Sequence, residues 1–249
     1  MKIKTDIIIS INVHEKPHFL MKQLNNISSF LNSKYYIILN CNNYMYDELK
    51  KIELPQNVII NDEIINKNVY HGSLTKGIYS NILYALVNFE FKHFVILSSR
   101  NFFYNKLDVN ILEQRQKRFS DISETTKREK IIVDYNDWHW GKFIYSRIMQ
   151  YYLNNGLDLI SSCHEGLCFH YNVCENIVNF LDNQNHKSIK DDLFNFPYCV
   201  EEFALQSIAT YEINPENLYY GFTIISHGSM THNEVPSNPN LFLYKTIRI

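Results

Sequence analysis

Several groups of residues in this chain have the types and spacing to do chemistry. The adjacent carboxylates Glu201 and Glu202 open an apolar pattern of Val200, Phe203, Ala204, Ser207, Ile208 and Tyr211, which predicts one helix over Val200 to Tyr211. On such a helix Glu202 points away from the apolar stripe and lies in the first turn, where the helix dipole favours a carboxylate. That pattern fits a surface or capping carboxylate as well as a general base. Lys245 and Arg248 can clamp a diphosphate or serve as a solubilising basic tail, and their odd spacing keeps them off a common strand face. Asp134-Tyr135-Asn136-Asp137 offers two carboxylates to Mg²⁺ or Mn²⁺, and equally an Asp-Asn turn. Cys163, His164, Cys168, His170 and Cys174 are zinc-type residues, but their spacings match no pair-and-pair pattern and they read as core and surface residues. Trp138 and Trp140, the only tryptophans, are flat faces for a sugar or buried anchors for the helix after them. His227 and His232 line a substrate or sit in a plain loop.

The elements that must position these residues alternate through the first half. Asp6 to Val13 reads as a buried strand, followed by a helix that starts at Pro17 and carries Leu20, Leu24, Ile27 and Leu31 at helical spacing. Strands are expected at Tyr35 to Leu39, Asn57 to Ile60 and His93 to Leu97, with helices at Met45 to Ile52 and Thr75 to Phe89. This repetition implies a largely parallel sheet covered by helices. Ligand contacts in such a sheet come from the carboxyl ends of the first strands, where Val13, His14, Asn40, His71 and Gly72 stand. His14 is a base, a phosphate contact or an exposed loop residue; Gly72 allows a turn or the close approach of a ligand.

Beyond residue 110 the pattern changes. Glu113 to Lys130 is dense in both charges and reads as a solvated helix or loop. Ile131 to Val133 is a candidate strand, Lys142 to Leu153 a helix, Asp158 to Ser161 and Gly166 to His170 extended, Val173 to Leu181 a helix, and Leu241 to Ile247 a strand. No repeat or linker divides the chain, so residues 1–249 read as one domain, with a first half over 1–110 and a second over 131–249.

Composition narrows the function classes. At 45% hydrophobic and 20% charged the chain is built to fold rather than stay disordered. A net charge of −2 gives no basic face for nucleic acid. No apolar run is long enough to span a membrane and no leader pattern is evident, so a cytoplasmic location is expected. Five irregularly spaced cysteines suit free thiols in a reducing compartment.

The order of several segments resembles the core-2/I-branching β-1,6-N-acetylglucosaminyltransferase family, which includes peptide xylosyltransferases. Ile7 to Pro17 is similar to its first strand and turn, Tyr35 to Asn40 to its second strand, and Val69-Tyr70-His71-Gly72-Ser73 to the stretch before a helix. Phe94 to Asn101, His164 to Phe169, Val200-Glu201-Glu202-Phe203 with Ser207-Ile208, and Leu241 to Lys245 follow in family order. The chain departs from the family at Asn40 and Asn101, where Asp is frequent, at His71, where the family has Trp, and at Tyr244, where it has Arg.

The resemblance implies a GT-A-like fold and an inverting transfer without a metal or other cofactor. Glu202 matches the catalytic base, with Glu201 as its neighbouring rival, and Lys245, assisted by Arg248, matches the group that receives the diphosphate. Val13, His14, Asn40, His71 and Gly72 are the other expected donor contacts, and Trp138, Trp140 and Glu165 the acceptor contacts. The implied partners are a UDP-sugar, with N-acetylglucosamine first and xylose next, and a glycan or polysaccharide acceptor. Two alternatives stand beside it: a metal-dependent transferase using Asp134 and Asp137, and an inactive sugar-binding relative.

Overall fold

The computed structural model describes residues 1–13, 16–68, 71–119, 129–130, 140–157, 160–161, 164–211, 222–223, 225–230 and 242–246. A short β1 (Ile3–Lys4) leads into β2 (Ile7–Val13), α1 (Pro17–Phe30), β3 (Tyr35–Cys41), α2 (Asn43–Leu49), β4 (Val58–Ile60) and α3 (Ser73–Asn88). Then come β5 (Phe89–Glu90), β6 (His93–Ser98), β7 (Asn101–Phe103) and α4 (Val109–Phe119). The expected first-half strands and helices all form. Pro17 starts α1 where a missing N–H costs nothing, and Asn42 caps α2 by accepting from the Met45 N–H at 2.8 Å. Helix α4 takes in the start of the charged stretch, and Glu113 pairs with Lys92 at 2.8 Å.

The second half holds β8 (Glu129–Lys130), α5 (Trp140–Phe143), α6 (Arg147–Asn154), β9 (Ile160–Ser161), β10 (Leu167–His170) and α7 (Tyr171–Asp182). After α7 come α8 (Lys187–Asn195), α9 (Ala204–Tyr211), β11 (Phe222–Thr223), β12 (Ile225–Met230) and β13 (Leu243–Thr246). The candidate strand at Ile131 to Val133 lies outside the described residues. Two expectations need correction. The helix expected over Lys142 to Leu153 is broken, because Ser146 caps a new start at α6 by accepting from the Met149 N–H at 3.3 Å. The helix expected over Val200 to Tyr211 is also broken: Val200–Glu202 is a 3-10 turn and Phe203, at φ −138°, leaves helical geometry before α9. The Phe203 ring is fully buried 4.9 Å from that of Phe143, so core packing outweighs continuation of the helix.

The central sheet has the order β11-β10-β6-β2-β3-β4. Pairings β2–β3, β3–β4 and β2–β6 are parallel, whereas β10 runs antiparallel to β6 and β11 to β10. The fold is thus mixed α/β with a mostly parallel central sheet. From β2 the chain steps outward to β3 and β4, then returns to β6 on the other side of β2. That reversal makes the carboxyl ends of β2 and β6, at Asn12 and Ser98, the topological switch point where open α/β sheets bind ligands. A second sheet, β12-β13-β7, packs its middle strand antiparallel to β7. Among the described residues no helix is long and apolar enough to cross a membrane.

The two faces of β2 explain its sequence. Ile7, Ile9, Ile11 and Val13 enter one core cluster with Leu20, Leu24 and Ile27 of α1. Ile8 enters the other, and on that same face the alternation brings Ser10 and Asn12 beneath α3. There Asn81 Nδ2 donates to Ser10 Oγ at 2.9 Å and Asn12 Nδ2 to the Leu74 carbonyl at 2.9 Å. The strand therefore grows polar toward its carboxyl end while staying buried.

Gly72, just before α3, lies against α8. Its N–H donates to the Phe196 carbonyl at 2.8 Å, and a Cβ there would sit 2.0 Å from the Leu193 carbonyl oxygen. Backbone cannot yield as a flexible side chain does, so Gly72→Ala should lower stability by about 2 kcal/mol or more. A urea midpoint equal to wild type would contradict this packing.

Candidate functional site

At the carboxyl end of β6 the chain turns sharply into β7. The Ser98 N–H donates to Asn101 Oδ1 at 2.6 Å, and Gln23 of α1 donates through Nε2 to the carbonyls of Ser98 at 2.7 Å and Asn101 at 2.8 Å. Asn101 thus spends its side-chain oxygen on a backbone N–H. Strand β13 is clipped to the same corner: Lys245 stands opposite Asn101, and the Thr246 N–H donates to the Arg100 carbonyl at 3.0 Å. On the other side Gly166 donates to the Ile96 carbonyl at 2.7 Å and holds φ +75°, a left-handed geometry that suits glycine.

These anchors bring Glu165 and Lys245 together. Lys245 Nζ lies 2.8 Å from Glu165 Oε2. Glu165 is 4% exposed. Burial presses its proton affinity upward, but His164, the Lys245 charge and hydrogen bonds from Lys245 and the Ser98 hydroxyl outweigh it and hold the carboxyl below its usual range. Burial, joined by Lys245 and opposed by Glu165, pushes half-buried His164 below the ordinary histidine range. Its Nδ1 has no hydrogen-bond partner among the described residues.

Glu201 and Glu202 approach the same pair from the 3-10 turn. Neither is the exposed first-turn carboxylate of the helix expected from periodicity, since the break at Phe203 turns them inward. Glu202 is half-buried. Burial and the negative charge of Glu165, opposed by Lys245, raise its carboxyl to about 7. Glu201 is 2% exposed, and burial, with contributions from Glu202 and Glu165, raises it to about 8. Its Oε2 has no hydrogen-bond partner among the described residues, while its backbone carbonyl accepts from Gln206 Nε2 at 3.1 Å. The arrangement can accept a proton near neutrality at Glu202 and present one cation beside it.

The expected donor contacts gather at the ends of β2 and β3, with different outcomes. Val13 has a fully buried side chain in the core, so only its backbone is on offer. Asn40 is fully buried; its Nδ2 donates to the Glu63 carbonyl at 2.9 Å and its Oδ1 has no partner among the described residues. His71 accepts at Nδ1 from the Ser73 N–H at 3.0 Å, which leaves any ring proton to Nε2. For Gly72 the close approach is by the backbone of α8. His14, Trp138, Arg248, Asp134 and Asp137 lie outside the described residues, as do Cys163 and His232. Trp140 begins α5, and His227 lies in β12.

Sequence reasoning missed Ser98 and Lys67. Lys67 Nζ donates to the carbonyls of Asn40 at 2.9 Å and Ile65 at 3.2 Å. Burial, slightly offset by Cys41, lowers its amine to about 7. A lone lysine in an irregular stretch carries no sequence signal for that. Among the described residues no group of three His, Cys, Asp or Glu could hold a metal ion. Cys41, Cys168, Cys174 and Cys199 are buried free thiols. No known family model and no curated protein sequence matches the chain.

The carboxylates tie stability to pH in a definite direction. Glu201 keeps its proton in the folded state up to about pH 8, from a reference value of 4.5. Below pH 4.5 both states hold the proton; as pH rises from there toward 8, the unfolded chain ionises first and stability is lost. Glu201→Gln removes that loss. Urea unfolding should show the variant more stable than wild type by on the order of 3 kcal/mol at pH 8, with little difference near pH 4.5. An equal difference at both pH values would contradict the burial of an unpaired carboxyl.

Proposed function

We propose that the chain is an inverting, metal-independent glycosyltransferase with a GT-A-like fold, moving a sugar from a UDP-sugar to a glycan or polysaccharide hydroxyl. N-acetylglucosamine is the first donor sugar and xylose the next. The observation that carries this reading is the Glu165–Lys245 ion pair at the β6–β7 corner, within electrostatic reach of Glu202, whose carboxyl is raised to about 7.

In this reaction the Glu202 carboxylate takes the proton of the acceptor hydroxyl. The hydroxyl oxygen forms a bond to the anomeric carbon from the face opposite the nucleotide. The bond from that carbon to the diphosphate oxygen breaks, and its electron pair leaves with UDP. Lys245 meets the charge that develops on the departing diphosphate. A base near pH 7 suits the task, because it is ionised often enough to act and basic enough to accept. Glu165, beside both, is the acceptor contact.

Thermal unfolding with UDP, UDP-N-acetylglucosamine and UDP-xylose tests the donor, each with chelator and with Mn²⁺. A ligand at a hundred times its dissociation constant stabilises by about 2.7 kcal/mol, so the midpoint should rise by about 5–10 °C in chelator. A rise only with Mn²⁺ would favour the metal-dependent alternative. Glycan binding without any nucleotide response would favour the inactive relative. Glu202→Gln should keep the UDP response and lose transfer by about 10²-fold or more; full activity in a folded variant would overturn the role of Glu202.

A further inference from the structure

We propose that the Glu165–Lys245 ion pair is a latch, closed in the empty site and opened by the diphosphate of the donor. The inference rests on the transferase reading above and concerns how that same site takes its substrates. The Lys245 side chain is 25% exposed and that of Glu165 5%, so an incoming anion meets the pair from the lysine side. The backbone of Lys245 cannot follow a ligand outward, being fixed opposite Asn101 and next to Thr246, which is hydrogen-bonded to Arg100. Only the flexible lysine stem is free to turn.

The charges around the pair make the two partners competitors. Glu165, Glu201 and Glu202 all act electrostatically on this site, and among the described residues Lys245 opposes all three. His164 also draws the Glu165 proton affinity down, while burial lowers its own. A diphosphate that engages Lys245 lies next to the carboxylate Lys245 had neutralised, and like charges brought together are costly. Glu165 therefore holds Lys245 in place and weakens anion binding. Once the ammonium turns to the diphosphate, the Glu165 oxygens keep the Ser98 hydroxyl, and the Oε2 that Lys245 leaves accepts from a sugar hydroxyl. Acceptor binding then follows donor binding.

Calorimetric titration with UDP and with inorganic pyrophosphate, on wild type, Glu165→Gln, Lys245→Met and the double variant, tests the latch. Glu165→Gln should bind both ligands about tenfold tighter. Lys245→Met should weaken them by tenfold or more and erase the gain in the double variant. Carbon-detected titration of the Glu165 carboxyl in the wild type adds a readout that needs no variant to fold: its midpoint should rise on saturation with pyrophosphate, as the ammonium leaves. Equal or weaker UDP binding by folded Glu165→Gln, or an unmoved Glu165 midpoint, would overturn the latch while the donor reading stands. If neither ligand binds any of the four proteins, the donor reading falls and the latch with it.

Discussion

An ion pair with a buried glutamate and a partly exposed lysine, Glu165 with Lys245, constrains how this chain can fold. Burying two charges costs several kcal/mol per ion before their attraction returns any of it, and breaking one partner away leaves the other uncompensated. Such a pair persists only where geometry is fixed from both sides. Here the lysine side is set by the β7–β13 register and the Arg100–Thr246 contacts. The glutamate side is set by Gly166, whose positive φ turns the chain into β10. Gln23 of α1 ties both to the β6–β7 corner. The first helix thus fixes a residue more than two hundred positions later.

Around that pair the protein assembles groups that would each be easier to leave in water. Glu201 and Glu202 hold their protons to about pH 8 and 7, and burial is the main cause for both. Groups of this kind cluster where a proton must be moved, although structural networks perturb proton affinity too. What separates the cases is satisfaction. A structural carboxyl finds donors, as Glu165 does, whereas Glu201 Oε2 finds none among the described residues. A buried carboxyl oxygen without a donor lowers stability.

The first half of the fold was legible because its period was clean. The α1 residues Leu20, Leu24 and Ile27 are buried as their spacing demands, and β2 and β3 read as short apolar runs between turn signals. The site was legible only in part. Periodicity carried the helix through Phe203, since an apolar residue there fits both a continuous helix and a core aromatic; only the contact with Phe143 decides. The inward turn of Glu201 and Glu202 follows from that break and could not be read before it. Ser146 held a readable cap signal that the longer apolar pattern masked. At Gly72 the contact with the distant Leu193 carbonyl left no trace in the local sequence. Lys67 and Ser98 owe their roles wholly to tertiary contacts.

The alternation of β2 and β3 connects the dry core to the polar end of the sheet. Ile8 and Ile38 belong to the core under α3, and Ser10, Asn12 and Asn40 follow on the same faces toward the carboxyl ends. Every one of these polar residues is buried, so each needs a partner inside the protein. Helix α3 supplies several through Asn81 and the Leu74 carbonyl. At the last positions the supply runs out: Asn12 Oδ1 and Asn40 Oδ1 remain unmatched among the described residues. Beside them Lys67 spends its protons on backbone carbonyls. The switch point is therefore flanked by two unlike environments. On one side lie buried amide oxygens and an amine whose charge burial weakens; on the other, three carboxylates act on one another and on Lys245.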